Sequence, residues 1–274
     1  MLNRFIHRIF QGVQTSDGAG VNLTRIIGSQ NLDMLDPFLL LDEFGSNNPD
    51  DYLAGFPSHP HRGFETITYM LNGKFRHKDT AGNEGYLTDG SVQWMTAGKG
   101  VIHSEMPEQT KGLVRGFQLW LNLPREKKMI EPAYNDIPAN KIPIVDFPGG
   151  NVKIIAGTFS GVTGPGRPHS GMLYYDIRLE AEANISFPID DEWNGFCYVY
   201  EGEMVCDQIV SKNQLAVLSR KGVLHCTASK VGTQFILVAG IPLNEPVARG
   251  GPFVMNTKEE VIQAFSDYQA GRLA

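Results

Sequence analysis

Apolar side chains recur along this chain mostly at every second position, in short runs broken by Gly, Pro, Asn and Asp. Successive strand side chains point to opposite faces, so this alternation predicts β-strands with one buried face. Residues 6–10 and 23–27 read as early strands around a Ser16-Asp17-Gly18-Ala19-Gly20 turn. Residues 66–71 form a strong strand ending at Asn72-Gly73, a favoured hairpin turn. Residues 74–79 return, residues 80–85 turn again, and 92–95 make a further strand closed by the glycines of Thr96-Ala97-Gly98-Lys99-Gly100. In residues 116–123, Phe117, Leu119, Leu121 and Leu123 share one face, and Gln118, Trp120 and Asn122 the other.

The texture changes at residues 124–150, where Pro124, Pro132, Pro138, Pro143 and Pro148 interrupt any periodicity. This stretch reads as an interdomain connection ordered by packing rather than by regular structure. Alternation resumes at residue 152 and runs to about 239. Near the end, Thr257-Lys258-Glu259-Glu260 is a capping box, and Val261, Ala264, Phe265 and Tyr268 follow at helical spacing, with Gly271 as the stop.

The two halves resemble a diverged repeat. Residues 69–75, Tyr-Met-Leu-Asn-Gly-Lys-Phe, align with residues 198–204, Tyr-Val-Tyr-Glu-Gly-Glu-Met. Gly100-Val101-Ile102-His103 aligns with Gly222-Val223-Leu224-His225. The expected organisation is therefore an N-terminal domain over 1–123, a proline-rich connection over 124–150, and a second domain over 151–274 that includes the terminal helix.

Composition narrows the class. A hydrophobic fraction of 42% and a charged fraction of 20% are those of a soluble globular protein. The net charge of −6 and the absence of basic clusters speak against direct nucleic-acid binding. No apolar run is long enough to span a membrane, and the first residues do not read as a secretory signal. Cys197, Cys206 and Cys226 lack C-x-x-C spacing, which points to reduced thiols and a cytoplasmic protein.

The chemistry concentrates in His59-Pro60-His61 and His103-Ser104-Glu105. Residues two apart on a strand share a face, so the two pairs on neighbouring strands would converge four donors inside a barrel. Three imidazoles and one carboxylate suit iron, nickel, manganese or zinc. Glu65 shares the parity of His59 and His61 and competes with Glu105 as fourth donor. His77 reads either as a partner to this site or as a strand-end hydrogen-bonding residue. In the second half the alignment sets Pro188, Asp190 and Thr227 against His59, His61 and Glu105, leaving only His225, expected as a core histidine. That half is therefore expected to hold no metal. Phe44, Phe64, Phe75, Trp94 and Met95 either line an aromatic pocket or simply fill the barrel.

These motifs resemble the pirin family. The resemblance rests on His59-Pro60-His61-Arg62-Gly63-Phe64-Glu65-Thr66-Ile67-Thr68-Tyr69, His77-Lys78-Asp79, Val92-Gln93-Trp94-Met95-Thr96-Ala97-Gly98 and His103-Ser104-Glu105-Met106-Pro107. Residues 35–44, 242–247 and 251–256 also match, so it covers nearly the whole chain. Asp89-Gly90-Ser91 departs from the family's more frequent Gly-Asp, a change confined to a turn.

The resemblance implies an all-β bicupin: two stacked antiparallel barrels of jelly-roll type with a C-terminal helix. It implies one Fe2+ held by His59, His61, His103 and Glu105, with nickel, manganese, zinc or cobalt as substitutes and no other cofactor. It implies a quercetin 2,3-dioxygenase-type activity, opening a flavonol ring with dioxygen, in which Glu105 is expected as the catalytic base. The alternative is a non-catalytic, redox-sensing protein that docks on a transcription factor, in the nucleus if eukaryotic, or on a metabolic enzyme. A pocket ending deep at the metal would favour catalysis; a shallow one would favour docking. A monomer is expected.

Overall fold

The computed structural model describes residues 2–80 and 82–274. Met1 and Ala81, the latter inside the expected 80–85 turn, lie outside the described residues. The fold is all-β with one C-terminal helix, Lys258–Gln269. The strands expected from alternation form as Ile6–Gln11, Val21–Ile27, Phe64–Asn72, Phe75–Asp79, Val92–Thr96, Val114–Asn122 and Gly150–Ala156.

The chain divides into two compact units whose sequence ranges interleave. One holds residues 13–28, 38–139 and 243–274; the other holds the N-terminal residues through Gly12, then 29–37 and 140–242. Both chain ends therefore depart from the linear ranges 1–123 and 151–274. Ile6–Gln11 pairs with Gln214–Leu218, which draws the N-terminus into the second unit. The helix closes on Phe253, with ring centroids of Phe253 and Phe265 4.9 Å apart, inside the first unit. Its capping box is formed: Thr257 Oγ accepts from the Glu260 amide, and the Glu260 carboxylate accepts from the Thr257 amide.

The proline-rich stretch also carries regular structure. Ala133–Ile137 pairs with Val92–Thr96, and Ile144–Phe147 pairs with Gly150–Ala156. Both are edge strands, where flanking prolines remove no ladder hydrogen bond, so residues 124–150 are shared between the two units rather than lying outside them.

The first unit consists of two facing sheets. The larger runs, in spatial order, Ala133–Ile137, Val92–Thr96, Phe64–Asn72, Val114–Asn122, Phe38–Ser46, Val21–Ile27 and Val13–Asp17. The smaller runs Phe56–His61, Val101–Pro107, Phe75–Asp79 and Glu84–Leu87. An apolar cluster that includes Leu23, Phe44, Met70, Phe75 and Val114 packs between the sheets. The second unit is built on one sheet of nine strands, and its interior is apolar, with Ile177, Val199, Leu224, Cys226 and Phe235 in its core. His225 departs from expectation: it is exposed, with Nδ1 2.7 Å from Ser186 Oγ. Alternation explains this, because Leu224 and Cys226 take the inward positions on either side of it.

The chain's end is fastened to the turn after His61 by a buried cation. Lys128 is 2% exposed, and its ammonium donates to the carbonyls of Gly63 and Val254 and to Asn122 Oδ1 at 2.8–2.9 Å. Burial pulls its pKa down to about 8. Gly63 has φ +90°, and a Cβ there would stand 2.0 Å from the Val254 carbonyl oxygen, so only glycine lets the two segments meet. Arg62 adds an ion pair to Asp267 on the helix at 2.8 Å. Replacing Lys128 by Met leaves three buried acceptors without their donor. Lys128→Met is expected to lower the unfolding free energy by about 2–4 kcal/mol, against less than about 0.5 kcal/mol for the exposed Lys111→Met, both read by urea denaturation.

Candidate metal centre

The antiparallel register of two neighbouring strands builds the site. His103 lies directly opposite His59, and Val101 opposite His61. The three imidazoles consequently stack against one another, with ring centroids 4.4–5.1 Å apart. One nitrogen from each falls within 4.8 Å of the others, a set that could hold a metal ion.

Hydrogen bonding fits this role. His59 Nδ1 lies 2.8 Å from the Pro57 carbonyl and His61 Nδ1 lies 3.4 Å from the Pro252 carbonyl. A carbonyl only accepts, so each Nδ1 carries the proton and each Nε2 keeps its lone pair. His103 is 1% exposed, and among the described residues neither of its ring nitrogens has a hydrogen-bond partner. A buried imidazole with no partner is costly unless a ligand satisfies it, and a metal ion would do so. Burial, and then the neighbouring imidazoles, hold the pKa values of His61 and His103 well below 6.5. Both therefore stand neutral at physiological pH, the state that coordinates.

Glu105 is placed differently. It follows His103 by two residues on the same strand, but the register slips between them and Glu105 comes opposite Phe56. Its carboxylate stays outside the 4.8 Å donor set and is bonded to the larger sheet. Thr68 Oγ donates to Oε1 at 3.0 Å and Gln118 Nε2 to Oε2 at 3.4 Å. Burial pushes its pKa up, opposed by His59, Thr68, His77 and Gln118.

Glu65, the competing donor, faces the other side of the larger sheet. It accepts from Trp94 Nε1 at 3.0 Å and from Thr96 Oγ at 2.9 Å. Parity counted from His61 fails because Arg62 and the Gly63 turn end one strand before Phe64 begins the next. His77 is buried opposite Glu105, stacked on Tyr134 with centroids 4.7 Å apart and 3.4 Å from Asp136 Oδ2.

A cavity of about 770 Å³ reaches this centre. Leu40, Phe44, Phe56, Phe75 and Trp120 give it apolar walls, and it ends on His59, His61 and Glu105. Asp17, Arg25, Asp42 and Arg249 supply its charge. Arg25 grips Asp42 with two hydrogen bonds at 3.0 and 2.8 Å, while burial still pushes the Asp42 carboxyl up to about 6. The Arg249 guanidinium lies 5.2 Å from the Trp120 ring centre. Of the aromatic candidates from sequence, Phe44 and Phe75 line the cavity, whereas Trp94 bonds Glu65 on the opposite face. Thr68, Gln118, Trp120, Arg249 and Pro252 also line the site, although no motif marks them as site residues; a visible signal is the polar face of residues 116–123.

The neutral buried histidines have a consequence for stability. Below pH 6.5 the unfolded chain protonates these residues while the metal-free native state does not. The unfolded state then binds more protons, so stability falls as pH falls. Each such group contributes about 1.4 kcal/mol per pH unit in that window. Urea unfolding of metal-free protein between pH 7 and 5 is expected to show this loss, with a shallower slope in His103→Gln.

Comparison with known proteins agrees with this geometry. Residues 20–121 match the family model described as Pirin, and residues 174–274 match the Pirin C-terminal cupin domain. A Pseudomonas aeruginosa protein provisionally named a quercetin 2,3-dioxygenase is 47% identical over 99% of this chain and 98% of its own. Pirin of Rattus norvegicus is 39% identical over 93% of this chain and 89% of its own. The crystal structure of a quercetin 2,3-dioxygenase from Acinetobacter baumannii superposes with a TM-score of 0.93 at 33% identity, covering 100% of this chain and 99% of that one. The motif block, the two matched domains and near-full-length similarity lead to one conclusion: this chain belongs to the Pirin family.

Proposed function

We propose that the protein is a mononuclear iron(II) dioxygenase that opens the ring of a flavonol-type substrate. The observation that carries this reading is a largely apolar cavity that ends on His59, His61 and Glu105, beside the three-imidazole cluster that His103 completes. A volume of about 770 Å³ accommodates a flat polycyclic ligand with room for substituents. The quercetin 2,3-dioxygenase named among the similar structures supports the substrate class. A cavity of this volume that ends on His59, His61 and Glu105 favours catalysis over docking of a protein partner.

Bound iron(II) would supply a Lewis acid that eases loss of a substrate hydroxyl proton, and a redox centre at which dioxygen and the electron-rich ring can react. The chain's own residues do the rest. His59, His61 and His103 would hold the metal as donors fixed by strand register. Glu105 takes the hydroxyl proton onto a carboxylate oxygen, and burial raises its basicity for that task. Phe44, Phe56 and Trp120 press on the planar rings and exclude water. Arg249 places positive charge along the wall, which favours the deprotonated phenol, whereas Arg25 is paired with Asp17 and Asp42. Nickel, manganese, zinc or cobalt would compete for the same donors according to availability.

The test is flavonol turnover by iron-loaded protein with and without oxygen. Oxygen uptake stoichiometric with substrate loss, and no turnover anaerobically, is the expected result. Glu105→Gln is expected to lower kcat by about 10²–10⁴-fold while metal remains bound. Wild-type turnover by the metal-loaded Glu105→Gln protein would remove Glu105 from the mechanism, and absence of oxygen uptake across a flavonol panel would remove the activity.

A further inference from the structure

The inner face of the larger sheet carries a continuous polar row across six strands, an unusual content for a barrel interior. In register, Arg25 lies opposite Asp42, Asp42 opposite Gln118, Gln118 opposite Thr68, Thr68 opposite Gln93, and Gln93 opposite Asp136. The ends of the row are anchored by Arg25 on Asp42 and by Gln93 Nε2 donating to Asp136 Oδ1 at 3.1 Å. Glu105 reaches the middle of the row from the opposite sheet and bonds both residues there.

The proton count at that junction is uneven. Thr68 has one hydroxyl proton but two acceptors within reach, Glu105 Oε1 at 3.0 Å and Gln118 Oε1 at 2.5 Å. The hydroxyl can serve only one of them fully. If the Glu105 carboxylate leaves, Thr68 gives its proton wholly to Gln118 and stays satisfied. The Thr68 hydroxyl thus keeps an acceptor with Glu105 attached or detached, and detachment costs the row only the 3.4 Å contact of Gln118 Nε2. Glu105, for its part, shares a strand and a face with His103, so rotation of its side chain alone changes its distance from the imidazoles.

We propose that Thr68 and Gln118 are positioning residues that draw Glu105 away from the three imidazoles, so that the centre alternates between a three-histidine state and a three-histidine-plus-carboxylate state. The inference rests on the metal-centre reading above. In the first state Glu105 is held on the larger sheet as a carboxylate available to accept a substrate proton. In the second it adds its charge to the metal. Thr68 and Gln118 set the balance because every hydrogen bond they give Glu105 is lost when the carboxylate moves to the metal.

Titration of metal-free protein with Co2+ tests this, reading affinity and the visible absorption that reports coordination number. Thr68→Val removes the hydroxyl at constant shape and leaves the carboxylate with fewer competitors for the metal. It is expected to tighten Co2+ binding about tenfold, the effect of one hydrogen bond to a charged group, and to weaken the visible bands as coordination rises. Thr68→Ser should restore the wild-type values, and Thr68→Val in a Glu105→Gln background should change nothing. Weaker or unchanged binding in folded Thr68→Val overturns the proposal, as does an equal change in both backgrounds. If Thr68→Val fails to fold, Gln118→Leu takes its place with the same expectations. A wild-type protein that binds no Co2+ would instead overturn the metal centre itself.

Discussion

The site depends on one piece of backbone register, the pairing that sets His103 opposite His59 and Val101 opposite His61. A one-residue slip would turn every side chain of one strand to the other face and dissolve the cluster. The residues just after His61 hold this register. Gly63 bends the chain at positive φ, Arg62 and Lys128 seize the C-terminal segment, and the Val254 amide donates to the Arg62 carbonyl at 3.0 Å. The same segment presents the Pro252 carbonyl that fixes the His61 tautomer. The last thirty or so residues of the chain are therefore part of the metal site's support, although they stand far from it in sequence.

The larger sheet of this unit buries polar groups on both faces. Its outward set buries Glu65 among Ile67, Phe117, Leu119 and Leu121. Its inward set, facing the candidate metal centre, holds Asp42, Thr68 and Gln93 at 5% exposure or less. Burying such groups is costly unless each finds a partner. Cross-strand register supplies partners, since the row places donors and acceptors side by side on adjacent strands. Asp42, Thr68 and Gln118 of this row line the cavity that ends at the candidate metal centre.

Much of this was legible in the residues. Period-two alternation located the strands, the capping box located the helix, and paired i, i+2 donors located three residues that the fold brings together. The failures have specific causes. Parity gave Glu65 the same face as His59 only because counting crossed the Gly63 turn, where parity resets. Prolines at 132, 138, 143 and 148 suggest a connection ordered by packing without regular structure, yet they flank edge strands that tolerate them. The interleaving of the chain ends left no mark on local patterning, since Ile6–Gln11 is an ordinary alternating strand and its partner lies about two hundred residues away. The slip between His103 and Glu105 in the pairing with Phe56–His61, which leaves the pairing with Phe75–Asp79 regular, is a backbone irregularity that the motif His-Ser-Glu does not encode.

The second unit shows how little of the chemistry belongs to the topology. Its strand Asn184–Pro188 pairs with the first part of Val223–Gly240 as Phe56–His61 pairs with Val101–Pro107. There, Phe187 meets Leu224 and Ile185 meets Cys226, so the inward positions of this strand pair hold hydrocarbon and thiol, while His225 lies opposite Ser186 as His103 lies opposite His59. His225 survives in sequence but turns to the surface. An imidazole on a strand is a metal donor only if its parity faces the cavity and the neighbouring strand answers it. In this chain both conditions are met where the Gly63 turn, the Lys128 clamp and the polar row converge, and the capacity to hold a metal follows from that convergence rather than from the repeated strand pattern.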